Sequence, residues 1–86
     1  MENFYYDLKI AEKWFEDNGW KVDHERDNFG VTASKIVDEE TCEEIYIAIC
    51  NDHPTFTVCC DLQRIDEAKA IGLKLEKAIK VKIKRD

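Results

Sequence analysis

The sequence predicts an α+β fold in the order α-β-β-β-β-α, a four-stranded antiparallel sheet with two helices packed on one face. Three observations lead to this prediction. A nearly uncharged segment, residues 45–60, alternates with period two on both sides of a turn, and helical periodicity marks residues 4–18 before it and 65–79 after it. Because 86 residues suffice for one domain but not two, we expect residues 1–86 to share one core.

The first helix is predicted to run from Phe4 to Asn18, because apolar residues recur there at helical spacing. Asn3 fits the N-cap position, and the pair Asn18-Gly19 fits a left-handed stop. Asp7 falls inside the apolar arc, where we expect the start of the helix to satisfy its carboxylate. The apolar stripe consists of Phe4, Leu8, Ala11 and Phe15, widened by Ile10 and Trp14.

Two strands are predicted before the nearly uncharged segment. Residues 20–26 alternate with period two, which is typical of a half-buried strand. Residues 27–30 have the composition of a turn, in which Gly30 can adopt a positive φ. The next strand, 31–37, has an ambiguous register, because either Lys35 or Ile36 must accept the less suitable side of the sheet.

The nearly uncharged segment predicts a β-hairpin with a turn at residues 51–54. A four-residue loop makes Cys50 face Thr55, and it fixes the following pairs as Ile49 with Phe56, Ile47 with Val58 and Ile45 with Cys60. These residues form the face that we expect the helices to cover. The opposite face is predicted to be open to solvent or to a partner and to present Tyr46, Ala48, Thr55, Thr57 and Cys59.

The second helix is predicted to end near Ile79, and its apolar stripe is Ile65, Ala68, Ile71 or Gly72, Leu75 and Ile79. Gly72 costs about 1 kcal/mol relative to Ala, which is tolerable if it lets the helix lie close to the sheet. Beyond Ile79, lysines alternate with apolar residues. This pattern fits a basic helix end or a short edge strand, and we predict a short extended basic tail from about residue 80.

Composition excludes several classes of function. A net charge of −6 repels a phosphate backbone, so we expect no direct nucleic-acid binding. We also expect no membrane association, because the chain has neither a signal-peptide pattern nor an apolar run of ~18 residues.

The spacing of Cys42, Cys50, Cys59 and Cys60 suits neither a disulfide nor a metal site. It indicates free thiols in a reducing cytoplasm and no metal or other cofactor.

A catalytic role would require a nucleophile with a nearby base. The candidates are Cys50 or Cys59 as nucleophile and His24 or His53 as base. None of these residues lies in a local catalytic motif, and the isolated glycines form no phosphate-binding loop. We therefore predict that the protein is not an enzyme.

The acidic segment, residues 38–44, provides the leading functional hypothesis. It holds five acids in seven residues, which fits either a solvated loop or a source of negative potential that attracts a basic partner. We predict a non-catalytic protein-interaction module that engages a basic, nucleic-acid-binding protein, as small acidic phage and mobile-element inhibitors of nucleases do. The candidate contact residues are Asp38, Glu39, Glu40, Glu43 and Glu44, together with Tyr5, Tyr6 and Tyr46. The alternative is a structural subunit or homodimer that assembles through the open sheet face or an edge strand.

Overall fold

The computed structural model of the protein describes residues 4–23, 30–50 and 55–82. The predicted N-cap Asn3, the turns at 27–29 and 51–54, and both histidines lie outside these ranges. The described elements, in chain order, are β1 (Phe4–Tyr6), α1 (Leu8–Asp17), β2 (Lys21–Asp23), β3 (Gly30–Asp38), β4 (Glu43–Cys50), β5 (Thr55–Cys59), a 3-10 turn (Leu62–Arg64), α2 (Ile65–Ile79) and β6 (Lys80–Lys82).

The main sheet confirms the predicted α+β fold class. Its strand order is β2-β3-β4-β5, and each neighbouring pair is antiparallel. Helix α1 packs on β2 and β3, whereas α2 packs on β5 and on α1. Neither helix is long and apolar enough to span a membrane, since α1 has 10 residues and α2 has 15.

The register of the central hairpin is the predicted one. Cys50 lies opposite Thr55, Ile49 opposite Phe56, and Ile47 opposite Val58. The predicted pair of Ile45 with Cys60 is not formed, because β5 ends at Cys59. On this face, β4 packs against both helices. The largest fully buried side chains are Phe15, Ile45, Ile47, Ile49, Leu75 and Ile79.

The structure resolves the ambiguous register of β3 by placing Lys35 on the helix-covered face. Lys35 lies opposite the buried Ile45, while Ile36 projects on the open face and is 55% exposed. The Lys35 Nζ donates a hydrogen bond to the Asn18 carbonyl at 3.0 Å. An ammonium is favourable there, because the last carbonyls of a helix lack partners within the helix. A register shift between Ile36 and Asp38 then ends the regular pairing.

Helix α1 begins four residues later than predicted, at Leu8. The N-cap is Asp7, whose Oδ1 accepts hydrogen bonds from the backbone N–H groups of Lys9 (3.0 Å) and Ile10 (3.2 Å). The start of the helix therefore satisfies this carboxylate, as the sequence predicted. At the other end, Gly19 has φ 79°, and the Trp20 N–H donates to the Phe15 carbonyl at 2.8 Å. These features confirm the predicted left-handed stop.

The residues before Asp7 form strand β1 instead of the first helical turn. β1 pairs with β6 in a small antiparallel sheet, with Phe4 opposite Lys82 and Tyr6 opposite Lys80. The Asp7 N–H also donates to the Ile79 carbonyl at 3.0 Å, which ties the start of α1 to the end of α2. The described part of the basic tail, Lys80–Lys82, is extended, as predicted, because it pairs with β1.

The boundaries of α2 agree with the prediction, and Ala68, Gly72, Leu75 and Ile79 of the predicted stripe are buried. Ile65, the first residue predicted for that stripe, is instead 48% exposed, because it lies at the start of the helix beside the open margin of β5. A Cβ at Gly72 would lie 3.4 Å from Val58 Cγ2, so the glycine allows α2 to lie as close to the sheet as the sequence suggested.

Gly30 has a different role from the predicted one. It begins β3 without a positive φ, and a Cβ there would lie 2.6 Å from the Ile49 carbonyl oxygen.

Candidate functional site

The acidic segment forms a tight turn between β3 and β4. The Asp38 Oδ1 accepts hydrogen bonds from the backbone N–H groups of Glu40 (3.0 Å) and Thr41 (3.4 Å). Cys42 completes the turn with φ 57°, the left-handed region. An aspartate that bonds the backbone two and three residues ahead is a common way to start such a turn. Asp38 therefore has a structural role inside the acidic segment.

Arg64, in the turn that precedes α2, contacts three carboxylates. Its Nε donates to Glu43 Oε2 at 2.5 Å, its Nη2 to Asp38 Oδ2 at 3.2 Å, and its Nη1 to Glu67 Oε2 at 3.1 Å. Gln63 Nε2 adds a hydrogen bond to Glu43 Oε1 at 2.6 Å. The hydrogen bonds from Arg64, and then from Gln63, hold the pKa of Glu43 below its usual range.

The predicted acidic contact residues are therefore not equivalent. Asp38 and Glu43 are partly buried and bonded to Arg64, so their carboxylates are engaged within the protein, although the single positive charge of Arg64 is also shared with Glu67. Glu39, Glu40 and Glu44 are exposed. Only this exposed group retains the location that a contact with a basic partner requires.

The three tyrosines predicted as contact residues differ in their exposure to solvent. Tyr6 is 3% exposed, its ring packs edge-on against Phe56 with 5.1 Å between ring centroids, and its hydroxyl donates to Glu76 Oε2 at 2.7 Å. Burial, reinforced by that hydrogen bond, raises the pKa of Tyr6 to about 12. Tyr6 is a core residue and leaves the candidate surface. Tyr5 and Tyr46 are 40% and 36% exposed and remain available to a partner.

The open face of the sheet contains a shallow depression with charges of both signs. Thr32, which is 8% exposed, lies within it. In the described ranges, every buried side-chain nitrogen or oxygen has a hydrogen-bond partner, so the depression presents no unsatisfied polar group to a ligand. Its lining consists of Lys21, Val22, Asp23, Thr32, Ala33, Ser34, Glu44 and Tyr46.

An apolar groove runs between β5 and α2, on the helix-covered side of the sheet. Its volume is about 360 Å³. The lining consists of Phe56, Val58, Cys60, Ile65, Ala68, Lys69, Gly72, Leu73 and Glu76. Two of these apolar residues, Ile65 and Leu73, are 48% and 57% exposed. We call this feature the β5–α2 groove.

The β5–α2 groove lies beside an unpaired strand edge. β5 is the last strand of the main sheet, and no described strand pairs with its outer edge. Such an edge presents a row of backbone N–H and C=O groups that can pair with another chain. β5 contains Thr, Phe, Thr, Val and Cys, so it has no charged residue to prevent this pairing.

The sequence interpretation missed the β5–α2 groove, although the sequence contains a signal for it. Leu73 does not belong to the buried stripe of α2, in which Gly72 and Leu75 occupy the neighbouring positions. With Ile65, Lys69 and Glu76 it forms a second stripe along the helix. A large apolar residue outside the buried stripe could have indicated a second contact surface on α2.

All four cysteines, including the two considered as nucleophiles, lie in the described part of the chain. All four are unpaired; Cys42 and Cys59 are exposed, and Cys50 and Cys60 are half-buried. Among residues 4–23, 30–50 and 55–82, no group of His, Cys, Asp and Glu side chains is arranged to hold a metal ion. His24 and His53, the bases considered for these thiols, lie outside the described residues.

No protein-family model matches the chain, and neither a curated protein nor a solved structure matches it.

Proposed function

We propose that the protein is a non-catalytic protein-interaction module that binds a polypeptide strand along the edge of β5. The observation that supports this function is the combination of an unpaired, uncharged edge strand with the adjoining β5–α2 groove. In strand addition, main-chain hydrogen bonds give affinity, and pockets for alternate side chains give specificity. The β5 edge supplies the first element, and the groove supplies the second.

The chemistry of the groove favours apolar side chains on the incoming strand. Phe56 and Val58 project into it from alternate positions of β5, and Leu73 faces them from α2. Because alternate residues of an added strand point to the same face, every second side chain would enter the groove. The volume of about 360 Å³ is near the lower end of the ~300–1,000 Å³ of small-molecule pockets, which suits a few aliphatic side chains.

A selection from a library of random peptides tests this function. We expect the full chain to enrich peptides with apolar residues at alternate positions, and we expect Leu73→Lys to lose their binding. Ile36→Lys is the matched control, because Ile36 has a similar exposure, 55% against 57%, but lies on the open face. Enrichment of peptides that bind both variants equally would contradict a site at the β5 edge.

The exposed acids support a second candidate function, which is the capture of a basic protein as expected of a small acidic inhibitor. Glu39 and Glu40 in the turn and Glu44 at the start of β4 are exposed in a chain of net charge −6. Clustered surface charges of one sign mainly increase the rate of association with a partner of opposite charge. Glu43 is not part of this group, because Arg64 and Gln63 bind its carboxylate.

Replacing Glu39, Glu40 and Glu44 by Gln tests the acidic surface. With a lysine-rich peptide as the probe, we expect slower association and a weaker dependence of the rate on ionic strength. The control replaces the acids at positions 12, 17 and 61 by their amides, which changes the net charge equally. Equal rates and salt dependence in the two triple variants would assign the effect to net charge and not to this surface.

A further inference from the structure

We propose that the strand which binds the β5 edge is β5 of a second copy of this chain, so that two main sheets join into one continuous antiparallel sheet. This inference rests on the proposed function and names its partner. The self-complementarity of the β5 edge, of the groove-facing stripe on α2, and of its charges supports a second copy.

The length of β5 fixes the register of such a pair. Its five residues overlap fully in an antiparallel pair only when Thr57 lies opposite Thr57 of the second copy. Phe56 then lies opposite Val58 on the groove side, and Thr55 lies opposite Cys59 on the open side. Apolar side chains thus meet apolar ones, and small polar side chains meet each other, in the kind of cross-strand pairing that stabilises sheets.

The charges on α2 complement each other under the same two-fold axis. Gly72 of α2 packs on Val58, which places Leu73 near the middle of β5, with Lys69 and Glu76 one helical turn to either side. A two-fold axis through Thr57 makes the two α2 helices antiparallel. Lys69 of each copy then faces Glu76 of the other, and the two Leu73 side chains meet at the centre.

The hydrogen bonding of Glu76 is compatible with this arrangement. Its Oε2 accepts the hydrogen bond from Tyr6, and an ionised carboxylate has further lone pairs that can accept from a lysine of a second copy. Tyr6 therefore fixes the position of a carboxylate that lines the groove. A fixed carboxylate loses less side-chain entropy when an ion pair forms than a mobile one does.

Pairing with a second copy also removes the exposed edge. Natural proteins protect edge strands with lysine, proline, bulges or short length, and β5 has five regular residues without lysine or proline. A two-fold pair closes, because each copy uses its β5 edge once. The assembly therefore stops at two copies.

Sedimentation equilibrium of the full chain, with reductant present to exclude disulfide-linked dimers through Cys59, tests this proposal. We expect a dimer for the wild type, a monomer for Leu73→Glu, and a dimer for the control Ile36→Glu on the open face. We expect Lys69→Glu to raise the dimer dissociation constant at least roughly tenfold, because symmetry turns two attractive pairs into two repulsive ones. The matched control is Lys74→Glu, on α2 but outside the groove lining.

Adding Glu76→Lys to Lys69→Glu restores opposite charges across the axis, so the double variant is expected to regain most of the affinity lost by the single one. Circular dichroism shows whether Leu73→Glu folds. If it does not, this charge exchange still tests whether the dimer forms through α2.

A monomeric wild type at millimolar concentration would overturn the dimer. If that monomer still binds peptides at the groove, the proposed function stands; if it binds none, both proposals fail. Dissociation by Ile36→Glu and not by Leu73→Glu would place the interface on the open face.

Discussion

The two edges of the main sheet differ in a way that suggests opposite roles. In the described part of β2, Lys21–Asp23, two charged residues flank the apolar Val22. β5 has five residues and no charge. Charged side chains are a usual protection against edge-to-edge pairing. One sheet therefore has a protected edge at β2 and an unprotected edge at β5, which we interpret as a binding edge.

The packing beside the two edges shows the same contrast. Near β2, aromatic rings fill the helix-covered face, with 5.4 Å between the ring centroids of Phe15 and Trp20, and Trp20 is 6% exposed. Near β5, α2 presents the small residues Ala68 and Gly72. Small residues bring the helix backbone close but leave space at the margin. The groove therefore forms at β5 and not at β2.

The largest expected effect comes from the middle of the sheet, on which both edges depend. Ile47 is fully buried and lies opposite Ala33 and Val58. We expect Ile47→Asp to prevent folding, because an unpaired buried carboxylate can cost more than the roughly 5 kcal/mol that a small domain has in reserve. Thermal unfolding followed by circular dichroism tests this, with the exposed Ile36→Asp as control. A cooperative transition near the wild-type temperature would contradict the described core.

An intermediate effect is expected at high pH, because Tyr6 links β1 to Phe56 at the β5 edge. The pKa of Tyr6 is about 12 in the folded chain, against about 10 for an unfolded tyrosine. The unfolded state therefore loses this proton first, and the contribution of Tyr6 to stability, complete below pH 10, is lost as the pH rises towards 12. The difference corresponds to about 2 to 3 kcal/mol.

Tyr6→Phe is the control for this pH dependence, since it keeps the ring and removes the titrating hydroxyl. At pH 7 we expect it to be less stable than the wild type by about 1 kcal/mol, the contribution of one hydrogen bond. Between pH 10 and 12 the wild type should lose about 2 to 3 kcal/mol more than the variant, as measured by urea unfolding. Parallel stability curves for the two proteins would contradict the buried Tyr6–Glu76 pair.

The smallest change in stability is expected from substitutions at the β2 edge. Their main effect is expected on the number of copies that associate. Replacing Lys21 and Asp23 by Thr removes the charges that protect this edge, and because both positions are exposed the change should alter the free energy of unfolding by about 1 kcal/mol or less. With two unprotected edges, we expect association beyond the dimer, measured by light scattering. Thr substitutions at the exposed positions Lys13 and Asp17 of α1 are the control. Unchanged scattering would mean that these charges do not protect β2.

Patterns within one segment allowed much of the fold to be predicted. The alternation on either side of the turn gave the hairpin register, and the stripe of α2 gave its boundaries and the role of Gly72. The predicted start of α1 at Phe4 is wrong. Phe4 and Leu8 are spaced as in a helical stripe, although the helix begins only at Leu8. β1 depends on pairing with β6 at the other end of the chain, which local periodicity does not encode.

The candidate site was less predictable, because it depends on contacts between distant segments. The acids at 38–44 were evident, but their division into bonded and exposed groups depends on Arg64, which follows them by more than 20 residues. The burial of Tyr6, a predicted contact residue, is not predictable from its own segment, because its partners Phe56 and Glu76 are remote in sequence. The β5–α2 groove requires the strand order, which places β5 at the edge of the sheet.

Amide hydrogen exchange at two protein concentrations tests the contrast between the two edges most directly. At concentrations well above the dimer dissociation constant, we predict slow exchange for peptides that cover residues 55–60, and faster exchange after dilution below it, because pairing protects the outward amides of β5. Peptides that cover residues 20–23 should exchange at the same rate in both samples. An exchange rate at β5 that does not change with concentration would contradict the assignment of this strand as the binding edge between two copies.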